Sequence, residues 1–361
     1  MGCRSFVLVI VAGLSCIVQA VVGFSVGNPV SAIERRLTFW IETHESLTTS
    51  SIFAPLKFIL HLSLDSQQVF AVCPAGYCQF NEDWIEVPLT KVEQISEDTK
   101  VFTFATPDTS KPLNLPTCAC LLAQGGKDAE GNPFIRPYTP ISTNSLVGEF
   151  QLMVKIYPDG NLSQHMNAMK VGDTLEFKHI KFNVKKQYPF GTKNVSMLVG
   201  GTGITPMIQA LHAILGNSED TTKVQMLYGS QKADQILAEV ILRDWQKAYP
   251  NRLSVTHVLS NEPERKWYKN FAGAKKWGKV LLSKIPLLPI KPPAGSAWKG
   301  DRGFITKELI EKHFPGPEAD TNIFVCGPPP MYNALCGPRE EEEISGVLAE
   351  MGYSKDQITK F

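Results

Sequence analysis

The feature that most constrains this chain is a short apolar stretch that runs into a glycine-rich turn and then into a helical pattern. The stretch is Val195–Val199, and the turn reads Gly-Gly-Thr-Gly-Ile-Thr-Pro over 200–206. Strand, glycine turn and helix in this order favour a turn that binds the phosphates of a dinucleotide. Pro206 replaces the third glycine of the strict pattern, and proline is tolerated in a first helical turn. Gly201 and Gly203 are expected to let phosphate approach the backbone.

Strand-like and helical stretches alternate after this turn, which predicts a parallel α/β sheet. The last strand leads into Cys326-Gly-Pro-Pro-Pro-Met331. Ligands of open α/β sheets bind beyond the carboxyl ends of strands, so the glycine turn and Cys326 are expected to face one ligand. The Cys326 thiol is either a redox group or a packing element. The predicted elements are strands at Val224–Tyr228, Leu253–Leu259 and Asn322–Val325 and helices at Lys232–Ala248 and Thr306–His313.

The preceding hundred residues show short stretches in which polar and apolar residues alternate, separated by glycine and proline. This pattern predicts a small antiparallel barrel. The expected strands are Trp84–Val87, Lys100–Thr106, Phe150–Tyr157 and Thr174–Phe177.

A proline-flanked segment, Arg136-Pro-Tyr-Thr-Pro-Ile-Ser142, stands between these strands. The prolines fix the backbone around Tyr138 and Thr139. Arginine, tyrosine and threonine there offer a charge, an aromatic plane and a hydroxyl, which suit a flavin nucleotide. An ordinary strand edge with a surface arginine explains the segment equally well.

A second candidate begins at Gly160, where Gly-Asn-Leu-Ser leads into a helix predicted over Gln164–Lys170 with Ser163 as its N-cap. A helix N-terminus suits a pyrophosphate. A plain capped helix without a ligand is the alternative.

The amino terminus carries an uncharged apolar segment, Ser5–Phe24. A helix of that length spans about 30 Å, the hydrocarbon thickness of a bilayer. Three interpretations are open: a membrane anchor or signal segment over 1–24, a signal peptide cleaved after Val18-Gln-Ala20, and an interior core helix. Residues 25–82 are predicted to be a tether or targeting extension.

Composition excludes several classes of protein. Charged residues make up 20% of the 361 residues and the net charge is +1, which argues against a nucleic-acid binder and a disordered acidic chain. Eight cysteines are too sparse for a disulfide scaffold, and their spacing fits no iron–sulfur cluster or other metal site. We expect a globular protein without a metal centre or a nucleic-acid partner.

Three motifs follow one another in a familiar order: Arg136-Pro-Tyr-Thr, Gly200-Gly-Thr-Gly-Ile-Thr-Pro and Cys326-Gly-Pro-Pro-Pro-Met. Over residues 84–361 the chain resembles the NADH–cytochrome b5 reductase family of the ferredoxin–NADP reductase superfamily, in particular its plant mitochondrial type. The resemblance implies a β + α/β fold. An antiparallel FAD-binding β-barrel over 83–185 would precede a parallel-sheet nicotinamide-nucleotide-binding domain over 193–361.

The resemblance also implies roles for individual residues. Thr139, Lys155 and Cys326 are the expected catalytic residues, with Thr139 near the reactive flavin nitrogen and Cys326 near the nicotinamide. The expected FAD contacts are Arg136, Pro137, Tyr138, Thr139, Met153, Lys155, Leu162, Ser163 and Thr205. The expected NADH contacts are Gly201, Thr202, Cys326, Gly327 and Met331, with help from Lys155.

The implied activity is electron transfer from NADH through FAD to a haem protein such as cytochrome b5, carried out by a monomer. The alternatives are an NADPH-dependent ferredoxin- or quinone-type reductase of the same fold and a non-catalytic flavin-binding module. NADPH stays open because Ser260 stands where many family members carry an acidic residue, and the strand ending at Tyr228 has no acid. Leu162 also replaces a methionine that is common in the family.

An enlarged loop over 261–302 holds ten Lys or Arg against three acidic residues. One hypothesis is that it docks an acidic electron acceptor or anionic lipid. A solvated insertion is the alternative.

Two glycosylation sequons, Asn161-Leu-Ser163 and Asn194-Val-Ser196, bear on topology. A glycan at the first would block the expected FAD contact. This favours a catalytic part that faces the cytosol or intermembrane space, anchored in the mitochondrial or endoplasmic reticulum membrane. The alternative is an organelle-targeted protein with residues 1–20 cleaved.

Overall fold

The computed structural model describes residues 76–262 and 298–361. Its first part is a six-stranded antiparallel sheet with strand order β4-β3-β6-β1-β2-β5. The elements are β1 (Ile85–Ser96), β2 (Thr99–Ala105), β3 (Leu121–Lys127), β4 (Pro133–Tyr138), β5 (Glu149–Lys155), α1 (Asn161–Ala168) and β6 (Thr174–Lys178).

Phenylalanine rings fill the interior of this first sheet. Phe150 on β5 packs edge to face against Phe177 on β6, with ring centroids 5.2 Å apart. Strands β1 and β2 lie between β5 and β6 in the sheet. In a flat sheet, β5 and β6 would therefore be about 14 Å apart. The sheet therefore curls around its core, as the predicted barrel requires.

The core of the first sheet includes residues from the segment 25–82, which the sequence analysis predicted to be a tether or targeting extension. Phe80 is 1% exposed and packs against Phe150 and Phe177. The Gln79 amide donates to the carbonyl of Pro112 at 2.8 Å. The predicted boundary at 83 is therefore too late, because the core begins before it.

The second part is a six-stranded parallel sheet with strand order β10-β9-β8-β7-β11-β12. The predicted sequence of an antiparallel sheet followed by a parallel sheet is confirmed. The elements are β7 (Asn194–Gly200), α2 (Ile204–Gly216), β8 (Lys223–Ser230), α3 (Glu239–Ala248), β9 (Leu253–Leu259), β10 (Asp301–Arg302), α4 (Lys307–His313), β11 (Thr321–Cys326), α5 (Pro329–Leu335), α6 (Gly346–Glu350) and β12 (Ile358–Lys360).

Helix α2 joins the two sheets, and all its residues from Ile204 to Leu215 are buried. Met207 and Leu211 share one apolar cluster with Met197 of the parallel sheet. The same cluster contains Val101, Cys118, Ile141 and Met153 from the first part of the chain. The helix is therefore part of the core on both of its sides.

Several observed segments differ from the sequence predictions. The predicted helix over Lys232–Ala248 begins only at Glu239, because Ala238 adopts a left-handed conformation with φ of 56° and interrupts it. Asp301 and Arg302, placed at the end of the enlarged loop, form β10 and pair with β9. Strand β3 was not predicted, since its glycines at 125 and 126 resemble a loop.

The predicted anchor over 1–24 and residues 263–297 of the basic loop lie outside the described residues. Among the helices that the structure does describe, none combines the length and apolar character needed to cross a membrane.

Candidate active site

The side on which successive strands are added to the parallel sheet reverses at β7. Strands β8, β9 and β10 extend the sheet on one side of β7, and β11 and β12 lie on the other. A crevice opens at such a switch point beyond the carboxyl ends of the strands. Strand β7 ends at Gly200 and β11 ends at Cys326, so the two predicted loops meet there.

Glycines allow these two loops to touch. A Cβ added to Gly203 would lie 2.5 Å from the carbonyl carbon of Cys326, and one added to Gly200 would lie 3.3 Å from the Cα of Gly327. Gly201 has a positive φ of 53° and open space where a Cβ would stand. The sequence predicted that both Gly201 and Gly203 admit phosphate. The structure leaves room only beside Gly201, and Gly203 serves the contact with Cys326.

The conformation of Gly201 is held by a tyrosine from the next strand. Tyr228 is fully buried, and its hydroxyl donates to the carbonyl of Gly201 at 3.0 Å. Burial raises the pKa of the Tyr228 phenol, so the hydroxyl remains a donor at neutral pH.

The carboxyl ends of β7 and β11 face the first sheet across a cleft of about 1380 Å³. This volume exceeds the roughly 300–1,000 Å³ of a typical small-molecule site, as two nucleotide cofactors require. Every site residue predicted from the sequence lines the cleft: Arg136, Pro137, Tyr138, Thr139, Met153, Lys155, Leu162, Ser163, Gly201, Thr202, Thr205, Cys326, Gly327 and Met331.

One wall of the cleft is the end of β4. Arg136 and Tyr138 are two residues apart on this strand and therefore point to the same side. Pairing with Ala123 and Leu121 of β3 fixes their positions. Arg136 is exposed, so its charge is accessible to a phosphate. Desolvation raises the pKa of Tyr138 to about 12, and the ring presents an uncharged aromatic surface.

Strand β5 contributes Met153 and Lys155 to the same wall. The Lys155 amine lies 2.8 Å from the Asp98 carboxylate, with side-chain exposures of 19% and 28%. Partial burial opposes ionisation of Asp98, but hydrogen bonds from Lys155 and Thr99 outweigh it and hold the carboxyl pKa below its usual value. The two side chains form an ion pair inside the cleft.

The N-terminus of α1 lies at another edge of the cleft. Ser163 was predicted to cap this helix, but the helix begins two residues earlier and Gly160 is the N-cap. The Ser163 hydroxyl instead donates to the Gly160 carbonyl at 2.9 Å and accepts from the Tyr157 amide at 3.2 Å. The first-turn N–H groups at Leu162 and Ser163 lack partners within the helix and suit a phosphate.

Cys326 is half-buried at the end of β11. Desolvation raises the pKa of its thiol to about 11. A hydrogen bond with Tyr332 and the positive charge of Arg339 favour the thiolate, but they do not outweigh the desolvation. The thiol is therefore neutral at pH 7, which argues against a thiolate nucleophile. Two further cysteines that the sequence did not assign to the site, Cys118 and Cys120, also line the cleft.

The ends of β8 and β9 present neutral side chains to the cleft: Ser230, Gln231 and Ser260. Ser230 is 7% exposed. The nearby Glu262 carboxylate accepts from the Ala233 amide at 2.8 Å, and Glu262 does not line the cleft. Among the described residues, no carboxylate at these two strand ends faces the cleft.

Sequence reasoning missed several lining residues because they lie far from the motifs. Asp98 precedes β2, and Lys185 and Arg339 belong to loops. The last residue, Phe361, also lines the cleft, and its amide donates to the carbonyl of Val325 at 3.0 Å. An acid before a strand or a cation in a loop gives no sequence signal of its own.

Fold and cleft together define an oxidoreductase with separate flavin and nicotinamide halves. Residues 86–184 match the family of oxidoreductase FAD-binding domains, and residues 197–276 and 272–337 match that of oxidoreductase NAD-binding domains. The chain is 36% identical over 296 residues to NADH-cytochrome b5 reductase 2 of Aspergillus clavatus, covering 80% of each. It is 34% identical over 285 residues to the Saccharomyces cerevisiae enzyme of that name, covering 78% of this chain and 84% of the yeast protein.

The chain belongs to the NADH–cytochrome b5 reductase family. The cytochrome b5 reductase domain of Ulva prolifera nitrate reductase superimposes with a TM-score of 0.59 at 27% identity, covering 76% of this chain and 96% of that domain. A ferredoxin NADP+ reductase from Neisseria gonorrhoeae shares the fold, with a TM-score of 0.51 at 16% identity. The predicted family, the predicted enzyme class and the predicted cofactors, FAD and NADH, are confirmed.

Proposed function

We propose that this protein oxidises NADH and passes the electrons through FAD to cytochrome b5. The observation that carries the proposal is the convergence of three sequence motifs on one cleft between the two sheets. FAD supplies the chemistry that this step requires, because it accepts a hydride and releases electrons singly. The residues of the chain supply binding and orientation.

The flavin half of the cleft fits FAD. Arg136 offers an accessible guanidinium for a phosphate, and Tyr138 offers an uncharged ring for the flavin plane. The first turn of α1 offers free amides for the pyrophosphate beside Leu162 and Ser163. Thr139, which lines the same cleft as the glycine turn, would hydrogen-bond to the flavin.

The nicotinamide half fits NADH. The open side of Gly201 admits the backbone approach of a pyrophosphate, and α2 begins directly behind it. Gly327 and Met331 would border the nicotinamide, with the neutral Cys326 thiol packed beside it. Lys155 stands at the flavin wall, where its charge can attract the nucleotide. These residues would orient the two cofactor rings toward each other for hydride transfer.

Rapid mixing under anaerobic conditions tests the function. The full chain is loaded with FAD and mixed with NADH or NADPH while flavin absorbance is followed, and oxidised cytochrome b5 is added afterwards. Bleaching by NADH followed by haem reduction is expected. Bleaching by NADPH alone would support the ferredoxin- or quinone-type reductase instead. Absence of bleaching with either nucleotide would support a non-catalytic flavin-binding module.

Residues 1–24 are proposed to tether the protein to a mitochondrial or endoplasmic reticulum membrane, with the catalytic part in the cytosol or intermembrane space. Asn161 of the first sequon lines the cleft, so a glycan there would obstruct it. Carbonate-resistant membrane association of the full chain and an unchanged mass after endoglycosidase treatment would support this placement. Release by carbonate would favour the alternative in which residues 1–20 are cleaved. A monomer is proposed, and light scattering checks it.

The basic loop is proposed to assist docking of an acidic acceptor. Arg302 donates to the carbonyls of Glu262 at 2.8 Å and Trp298 at 3.2 Å, so the two ends of the loop lie together. Deleting 264–297 therefore leaves this closure intact. A weaker salt dependence of cytochrome b5 turnover is expected after the deletion, and an unchanged salt dependence would contradict docking.

A further inference from the structure

Gln209 is a polar residue in an otherwise apolar stretch of α2. It is 6% exposed and lies between the two sheets. A buried amide without partners costs free energy, so its hydrogen bonds indicate why a glutamine is there.

The side-chain amide of Gln209 crosses from the nicotinamide half to the flavin half. Its nitrogen donates to the carbonyl of Pro140 at 2.8 Å and to the carbonyl of Ser142 at 2.6 Å. These carbonyls belong to the segment that directly follows Tyr138 and Thr139. We refer to Arg136–Ser142 as the flavin motif. The side chain of Gln209 therefore donates both of its N–H groups to the end of the flavin motif.

The same segment is held from its other side by β5. The Ile141 amide donates to the carbonyl of Gln151 at 2.8 Å, and the Gln151 amide donates to the Ser142 hydroxyl at 2.9 Å. Strand β5 continues to Met153 and Lys155 in the cleft wall. The segment is thus fixed between β5 and α2.

The helix that carries Gln209 also carries the nicotinamide turn. Thr205 is four residues earlier, on the same face of α2, and it lines the cleft. A weaker contact crosses the same boundary, where the Cys118 thiol donates to the carbonyl of Pro206 at 3.2 Å. The start of α2 is therefore hydrogen-bonded to the first half of the chain at Cys118, Pro140 and Ser142. These contacts lie within about one helical turn of Thr205, which lines the cleft.

We propose that Gln209 is a positioning residue that sets the spacing between the flavin motif and the nicotinamide turn. This inference rests on the proposed function, because the spacing matters only if a hydride passes between the two rings. A displacement of about 1 Å in such a geometry can slow a reaction by about 100-fold. Gln209 touches neither reacting ring in this proposal and acts through Pro140 and Ser142.

Two substitutions test the role. Gln209→Met keeps the length of the side chain and removes both donors. Gln209→Asn keeps an amide that is one methylene too short to reach the two carbonyls. Gln246→Met is the matched control, because Gln246 accepts from the Val255 amide at 2.7 Å on α3, away from the cleft.

Three quantities are measured on FAD-loaded protein. They are the limiting rate of flavin reduction at saturating NADH, the NADH concentration at half saturation, and the long-wavelength absorbance that appears when NAD+ is added to the reduced protein. In both Gln209 variants, the limiting rate is expected to fall by about 100-fold and the long-wavelength absorbance to weaken. FAD content and half saturation should stay within about twofold of the unaltered protein. Gln246→Met should leave the limiting rate and the absorbance unchanged.

A FAD-loaded Gln209→Met protein with the original limiting rate and absorbance would overturn the proposal. So would a lower melting temperature or FAD content without a change in these two quantities, since that would make Gln209 merely structural. The unaltered protein is measured first. If NADH fails to reduce its flavin, the proposed function fails, independently of any Gln209 variant.

Discussion

The amine of Lys155 and the carboxylate of Asp98 lie 2.8 Å apart in the wall of the cleft. They come from different strand ends, and neither is more than about a third exposed. The pair holds a positive charge in a defined position where a nucleotide is proposed to bind. A flexible surface lysine would not do this, because its side-chain entropy opposes a fixed position.

The first prediction concerns this ion pair. Lys155→Met should raise the KM for NADH by about 10- to 100-fold, because a hydrogen bond to a charged group contributes about 1.5–3 kcal/mol and about 1.4 kcal/mol is a factor of ten. Asp98→Asn should have a smaller effect, since the charge remains but its position is no longer fixed. Steady-state kinetics with cytochrome b5 measure both. Lys91→Met is the control, since Lys91 forms a 2.8 Å pair with Glu93 outside the cleft. Equal KM values for Lys155→Met and Lys91→Met would contradict the prediction.

Gly203→Ala should separate the two loops of the switch point. The new Cβ would overlap the carbonyl of Cys326, and backbone atoms cannot move aside cheaply. We expect the free energy of unfolding to fall by about 1–3 kcal/mol, as for other overpacked sites, and NADH binding to weaken. Urea unfolding and NADH titration measure the two effects. Gly316→Ala serves as the control, because its Cβ would meet only the flexible end of Glu318 at 3.3 Å. Similar losses in both variants would show that the clash is unimportant.

The reactivity of Cys326 should depend on pH in a specific way. Its pKa is raised to about 11, so the thiolate is scarce at pH 7 and increases through pH 9 to 11. Alkylation by iodoacetamide, followed by mass spectrometry, should therefore be slow at pH 7 and rise about tenfold per pH unit. NADH should protect the thiol. Rapid alkylation at pH 7 with no further rise would contradict the neutral thiol.

Acid should destabilise the protein through a buried histidine. His212 is 4% exposed and packs edge to face on Trp245, with ring centroids 4.9 Å apart. Desolvation lowers the His212 pKa from 6.5 to about 4, so the unfolded chain binds a proton between these values and the folded chain does not. Stability is therefore complete above pH 6.5 and is lost as the pH falls toward 4.

The size of this effect follows from the two pKa values. Between pH 7 and pH 5, His212 should remove about 2 kcal/mol from the free energy of unfolding. His212→Phe should remove that part of the acid dependence, as measured by urea unfolding at both pH values. His257, whose pKa is also lowered to about 4 by desolvation, should account for a remaining part. An identical acid dependence in His212→Phe would rule out this contribution.

Local sequence patterns predicted the parts of the site that consist of contiguous motifs. The strand and turn at Val195–Gly203 and the strand ending at Cys326 were expected, and the structure places them side by side at β7 and β11. Alternation predicted three strands of the first sheet nearly to their ends. These successes have a common cause, since burial on one face imposes a period on the residues themselves.

The remaining features depend on partners far away in the chain. The role of Gly203 follows from the carbonyl of Cys326, and that of Gln209 from Pro140 and Ser142. The late start of the predicted helix, after the left-handed Ala238, has no local cause, because alanine is a strong helix former. Serine is a typical N-cap residue, but the Ser163 hydroxyl donates to the carbonyl of Gly160 in the preceding turn. Such contacts are set by tertiary structure, which a one-dimensional pattern does not contain.

The burial of α2 from Ile204 to Leu215 has a practical consequence for anyone who divides this protein. Expressed without the first half, the nicotinamide half would uncover the part of α2 around Pro206 and Gln209, which contacts Cys118, Pro140 and Ser142. Expressed without the second half, the flavin half would expose Ile141 and Met153. Each fragment would expose apolar surface that is buried in the full chain, and we expect each to aggregate. The two halves therefore share one core and depend on each other for folding, although each binds its own nucleotide.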